Sequence, residues 1–183
     1  TVKQSPLDKL DPGKIRPEER IVALPKEVVA VFGTHRGRHW GSVESVTFSP
    51  DGKRIISGGR DHLIRVWEAD SLRELAILRG HEEAVRSLVI SPNGKLLASG
   101  SMDGTLRLWS VDGDKYEESI ILESDKEGVK AIAFSPDGKT IATSHDREVQ
   151  LWDVSVDKPK APLILEGHDA PVLSLSFSPD GKT

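Results

Sequence analysis

Apolar and polar side chains alternate in short runs along this chain, and the runs return at a nearly constant interval. In Val43 to Phe48, Val46 and Phe48 fall on one face of an extended strand. The same two positions are filled by Leu88 and Ile90, by Ile132 and Phe134, and by Leu175 and Phe177. Ser-Pro-Asp/Asn-Gly-Lys follows each run, at Ser49 to Lys53, Ser91 to Lys95, Ser135 to Lys139 and Ser178 to Lys182. Proline presets φ, aspartate or asparagine tolerates the third position and glycine accepts positive φ, so each is predicted to be a hairpin turn. In the first unit a second strand follows at Arg54 to Ser57, a third at Leu63 to Glu68 and a fourth at Glu74 to Arg79. The turn prolines are 42, 44 and 43 positions apart, and Trp67, Trp109 and Trp152 are 42 and 43 apart. Two series in phase mean one module of four short strands written repeatedly, and an all-β fold.

With those motifs in register, the chain resembles the WD40 repeat family, whose units of about 40 to 45 residues each form a four-stranded propeller blade with Gly-His and Trp-Asp marks. The literal marks are Gly80-His81, Gly167-His168 and Trp152-Asp153, with Trp67-Glu68 and Trp109-Ser110 as variants. The resemblance implies antiparallel blades at 39–79, 81–122 and 125–166, and the start of a fourth at 168–183. Val28 to Phe32 looks like an outer strand with no partners before it, so 28–33 is expected to close another blade. Propellers of the family hold roughly 4 to 8 blades. Three complete blades plus partial ones therefore suggest an open fragment of a larger ring, with unpaired edges that would template self-association. The first residue is Thr1, which fits a chain whose natural start lies upstream. Residues 1–27, with Pro6, Pro12, Pro17 and Pro25 among many charges, read as an extended linker.

The repeats also depart from the pattern. The third unit has Ser124-Asp125 where Gly-His is expected, and Thr143 stands three residues before Asp146 rather than four. The first has Arg38-His39 after an insertion, Thr34 to Gly37.

Charge and composition narrow the function. The chain has 183 residues, with 25 basic against 29 acidic, a net charge of −4 that gives no general attraction to nucleic acid. It has no cysteine, which removes disulfides, thiolate metal sites and cysteine nucleophiles. The longest apolar runs are a few residues, far short of the roughly 20 that span a bilayer.

Histidine, serine and aspartate recur in a way that could imitate a catalytic triad. However, an enzyme needs one such site, and here the set returns once per unit beside a tryptophan. The resemblance implies buried hydrogen-bonded tetrads instead: His39, Ser57, Asp61 and Trp67; His81, Ser99, Asp103 and Trp109. The third set is incomplete, with Thr143, Asp146 and Trp152 but Asp125 in place of histidine, and His168 opens a fourth. Gly138-Lys139-Thr140 and Gly181-Lys182-Thr183 mimic a phosphate loop but have Ala133 or Ser176 where its first glycine belongs. His35 and His39 lie in a glycine-bounded loop with no third metal ligand evident. Arg36 and Arg38 with Trp40 and Arg60 could grip phosphate, but a solvated loop on a net acidic chain is the simpler reading.

No catalytic, cofactor or metal residues are assigned. The expected function is a noncatalytic scaffold that binds proteins or peptides on one propeller face. In the family that face is formed by the loops entering each first strand and joining second to third strands. Here they would display Trp40, Arg60, Glu82, Glu83, Met102, Lys126, Glu127, His145 and Asp169. Two alternatives are an accessory propeller in a larger enzyme, such as a kinase or hydrolase, and a propeller enzyme with its site on the channel rim, where His145 and Asp125 break the repeat.

Overall fold

A computed structural model of the chain describes residues 39–123, 128–156 and 159–183. The linker at 1–27, the strand at 28–33, the insertion at Thr34 to Gly37, and Asp125, Lys126 and Glu127 lie outside the described residues. Within them the chain forms β1 (Val43–Phe48), β2 (Arg54–Gly59), β3 (Ile64–Glu68), β4 (Glu74–Leu78), β5 (Val85–Ile90) and β6 (Leu96–Ser101). These are followed by β7 (Thr105–Asp112), β8 (Lys115–Glu123), β9 (Val129–Phe134), β10 (Thr140–His145), β11 (Glu148–Asp153) and β12 (Leu163–Leu165). They pair in chain order into three four-stranded antiparallel sheets, β1 to β4, β5 to β8 and β9 to β12. No helix occurs among the described residues.

The turns between first and second strands close by local chemistry. Gly52, Gly94, Gly138 and Gly181 have φ of 69°, 71°, 70° and 68°, the left-handed region in which only glycine is unstrained. In each turn the serine Oγ accepts the N–H five residues on, at 2.9 Å for Arg54, Leu96 and Thr140 and 3.0 Å for Thr183. The fourth turn forms although residues 166–183 contain no strand. The alternation of Leu175 and Phe177 predicts one there, but an extended segment becomes a strand only by pairing, and no described segment pairs with it.

The core lies between sheets rather than within them. Ile56, Ile64, Val66 and Leu78 of the first sheet pack on Val85, Leu88, Leu97 and Trp109 of the second. Ala98, Leu106, Leu108 and Leu122 then meet Val129, Ile132, Phe134, Ile141 and Trp152 of the third. A first strand buries its apolar face on the preceding sheet, so Leu88 and Ile132 are 6% and 7% exposed. Val46 and Phe48, with no preceding sheet among the described residues, are 54% and 58% exposed.

Each seam between sheets has two fixings. A glycine of the second strand lets the next sheet approach: a Cβ on Gly58 would lie 2.7 Å from Val85 Cγ1, and one on Gly100 would lie 2.4 Å from Val129 Cγ1. A hydroxyl of the first strand then reaches across the seam. Leu88 N–H donates to Ser45 Oγ at 3.0 Å, and Ile132 N–H to Ser87 Oγ at 3.1 Å. In the third unit the corresponding residues are Ser144 and Ala131, and the Ser144 hydroxyl instead accepts Ala131 N–H at 3.0 Å within its own sheet. The next segment is held there by Val172 N–H donating to Asp146 O at 2.7 Å.

Candidate functional site

Two groups of polar residues stand out: chains buried inside the sheets, and a charged rim where successive first strands lie side by side.

In the first unit Trp67 Nε1–H donates to Ser57 Oγ at 2.9 Å, Ser57 Oγ lies 2.8 Å from His39 Nε2, and His39 Nδ1 lies 2.7 Å from Asp61 Oδ1. The second unit repeats this, with Trp109 to Ser99 at 2.9 Å, Ser99 to His81 at 2.7 Å and His81 to Asp103 at 3.0 Å. Because indole is only a donor and carboxylate only an acceptor, the proton order follows. Indole gives to hydroxyl, hydroxyl to imidazole Nε2, and imidazole Nδ1–H to carboxylate. Every member is spoken for. Asp61 also accepts the Trp40 N–H at 3.0 Å and Asp103 the Glu82 N–H at 2.9 Å, so each carboxylate ties the loop before the first strand to the second turn. Thr105 adds a fifth member to the second chain, its hydroxyl donating to Asp103 at 2.7 Å.

Burial by itself would raise the Asp61 carboxyl, but His39 and the Trp40 N–H hold it below the usual aspartate range. Burial acts more strongly at Asp103, and hydrogen bonds from His81, Thr105 and the Glu82 N–H override it and hold that carboxyl well below the usual range.

The third unit is wired differently. Trp152 Nε1–H donates to Thr143 Oγ1 at 3.1 Å, but the histidine beside that hydroxyl is His145, at 3.0 Å. His145 was expected on the exposed face and is instead 2% exposed. The cause is the period of the strand: two residues apart on β10, Thr143 and His145 point to the same buried side. Asp146 was expected in this tetrad, but it lies in the shortened turn with φ of 50° and pairs with Lys130 Nζ at 3.1 Å. The missing residue shifts it to the position that Arg60 and Met102 occupy in the other units. His168 is exposed, and residues 168–183 contain no counterpart of Ser57, Asp61 or Trp67.

Of the expected face residues, Trp40 is 70% exposed, and Arg60, Glu82, Glu83 and Asp169 are also exposed, with Met102 half-buried. The structure adds residues that the loops alone did not suggest. Glu44, Arg86 and Lys130 are the second residues of β1, β5 and β9, and Leu173 holds that place in the fourth unit. With Met102 they line a cavity of about 330 Å³. Glu44 accepts from Arg60 Nε at 2.5 Å and from Arg86 Nη1 at 2.9 Å. Those two guanidiniums, Arg60 foremost, hold its carboxyl below the usual glutamate range. The repeat register was the signal: one position in every first strand that is charged three times in four.

The profile of the WD domain, G-beta repeat, matches residues 26–68, 72–110, 117–153 and 160–183. The chain belongs to the WD40 repeat family. Members generally mediate protein interactions as non-catalytic propeller scaffolds. This WD40 chain is similar to solved structures titled "Structure of U3-55K" and "Crystal structure of RRP9 WD40 repeats". Each has a TM-score of 0.70 and 27% identity, covering 76% of this chain and 43% of the other. Among curated relatives, it is 46% identical over 41 residues to the general transcriptional corepressor TUP1 of Saccharomyces cerevisiae, covering 22% of this chain and 6% of that protein. It is 30% identical over 63 residues to the probable inactive serine/threonine-protein kinase lvsG of Dictyostelium discoideum, covering 34% of this chain and 3% of that protein. The chain thus spans a small part of the curated relatives and under half of the solved ones. No helix among the described residues is long and apolar enough to cross a membrane.

Proposed function

We propose that this chain is a noncatalytic WD40 scaffold that holds a protein or peptide partner against the face carrying Trp40, Arg60, Glu82, Glu83 and Met102. The observation that carries the reading is the contrast between its two polar groups. In the first two units the histidine, hydroxyl and carboxylate side chains that resemble a triad are bonded to one another inside the sheets, so each acts as an internal brace. The exposed aromatic, arginine and half-buried methionine lie on the loops that those braces fix, and these residue types concentrate at interface centres. A rigid frame with variable loops suits binding.

On this reading the chain is organised as a linker at 1–27, a closing strand at 28–33, blades at 39–79, 81–122 and 125–166, and the start of another at 168–183. Affinity capture with the full chain, its Trp40→Ala and Met102→Asp variants, and a Leu72→Asp control in an exposed turn between third and fourth strands tests it. Loss of specific partners from the first two alone, with unchanged circular dichroism, is the expected result. Equal capture by all four refutes it.

A further inference from the structure

We propose that the cavity framed by Glu44, Arg86, Met102, Lys130 and Leu173 is a docking groove for an acidic segment of a protein partner, with Glu44 standing in for the partner's carboxylate while the groove is empty. This rests on the reading of the chain as a partner-binding scaffold and names the chemistry of the partner.

The repeat builds the groove. Because Glu44, Arg86, Lys130 and Leu173 hold one repeat position in successive units, stacking brings them into a row, and Met102 adds an apolar side chain from the neighbouring turn. Among the described residues, charge in and around the row is unbalanced: Arg60, Arg86, Lys130 and Arg147 pair with two carboxylates, Glu44 and Asp146. Arg86, with a side chain 36% exposed, has N–H groups beyond the one that it gives to Glu44. Glu44 already shows the binding mode, one carboxylate bridging two guanidiniums.

Leu173, 76% exposed, and Met102 offer apolar contact beside the cations. A segment that alternates carboxylate and apolar side chains matches both. Glu82 and Glu83 are exposed on the loop before β5, and Glu123 is exposed at the end of β8. They oppose a long polyanion running past the groove, which favours a short acidic peptide over nucleic acid.

Fluorescence anisotropy on the full chain tests this with three labelled probes: a short peptide alternating glutamate and leucine, its lysine–leucine counterpart, and an oligothymidylate. The acidic peptide is expected to bind and to weaken with added salt. Arg86→Gln or Lys130→Glu is expected to weaken it by about tenfold, and Glu44→Gln to tighten it by removing the internal competitor. Denaturation midpoints of each variant separate lost binding from lost fold, and the gain expected from Glu44→Gln cannot arise from unfolding. If the lysine peptide or the oligothymidylate binds as tightly, or Glu44→Gln weakens the acidic peptide, the acidic groove is refuted. Should the lysine peptide bind and Met102→Asp abolish it, the partner face survives and only its assigned chemistry falls. If neither peptide binds, the acidic groove is refuted, and the affinity capture with Trp40→Ala and Met102→Asp separately decides the partner face.

Discussion

Replacing the three turn aspartates one at a time separates a brace from a surface ion pair. Asp103→Ala removes the acceptor of His81 Nδ1–H, in a place where the histidine side chain is 1% and the aspartate 8% exposed. A buried donor left unpaired costs about 1 to 3 kcal/mol. The Thr105 N–H and hydroxyl lose their acceptor as well, but Thr105 is half-buried and water recovers part of that loss. The sum is about 2 to 4 kcal/mol. Asp61→Ala should fall in the same range, because Asp61 meets His39 at 2.7 Å with side chains 7% and 3% exposed. Asp146→Ala breaks contacts to Lys130 and Arg147 at a side chain that is 42% exposed, and should cost about 0 to 1 kcal/mol.

Urea unfolding followed by tryptophan fluorescence reads these differences, since about 2 kcal/mol moves the midpoint by roughly 1 M at a typical slope. The pH dependence supplies a second reading. Asp103 has a folded pKa below its ordinary 3.8, so its contribution is present above that value and is lost as the pH falls through and below it. Asp103→Ala should therefore flatten the acid limb of the stability profile while lowering the plateau at neutral pH. An Asp146→Ala penalty as large as that of Asp103→Ala, or an unmoved midpoint for Asp103→Ala, would refute the assignment of roles.

Two further changes probe the seams. Gly100→Ala places a Cβ 2.4 Å from Val129 Cγ1, so it should destabilise by about 1 to 3 kcal/mol in the same urea assay, whereas Gly113→Ala, at φ of 58° with open space around it, should cost only about 1 kcal/mol of backbone strain. Ser87→Ala leaves the Ile132 N–H without the acceptor that it reaches across the second seam, and should cost about 1 to 3 kcal/mol and speed amide exchange at Ile132.

The sheets were legible because turn chemistry and tryptophan spacing agree in phase, and neither depends on distant contacts. Strand β1 shows where that stops. Its pattern is the same as that of the second and third, yet Val46 and Phe48 are exposed because burial is set by a neighbouring sheet and not by the strand itself. The third unit departs from the sequence pattern at His145 and Asp146 for a related reason. The one-residue deletion in its turn leaves Arg147 where Asp61 and Asp103 stand in the other units, and only three-dimensional register shows that a histidine on β10 reaches Thr143. The groove is not legible in the sequence because Glu44, Arg86 and Lys130 lie in strands, where polar positions read as plain solvent-facing alternation.

The seam fixings bear on how such an array grows. At the first two seams both partners carry the same complementary pair, glycine with valine and serine with an amide. A duplicated module spliced into either seam would meet a ready-made mate on each side and join without redesign. After the third sheet that interchangeability ends, because Ser144 and Ala131 have replaced the glycine and the bridging serine. Recombination or engineering at that border would have to carry the old neighbour along or invent a new joint.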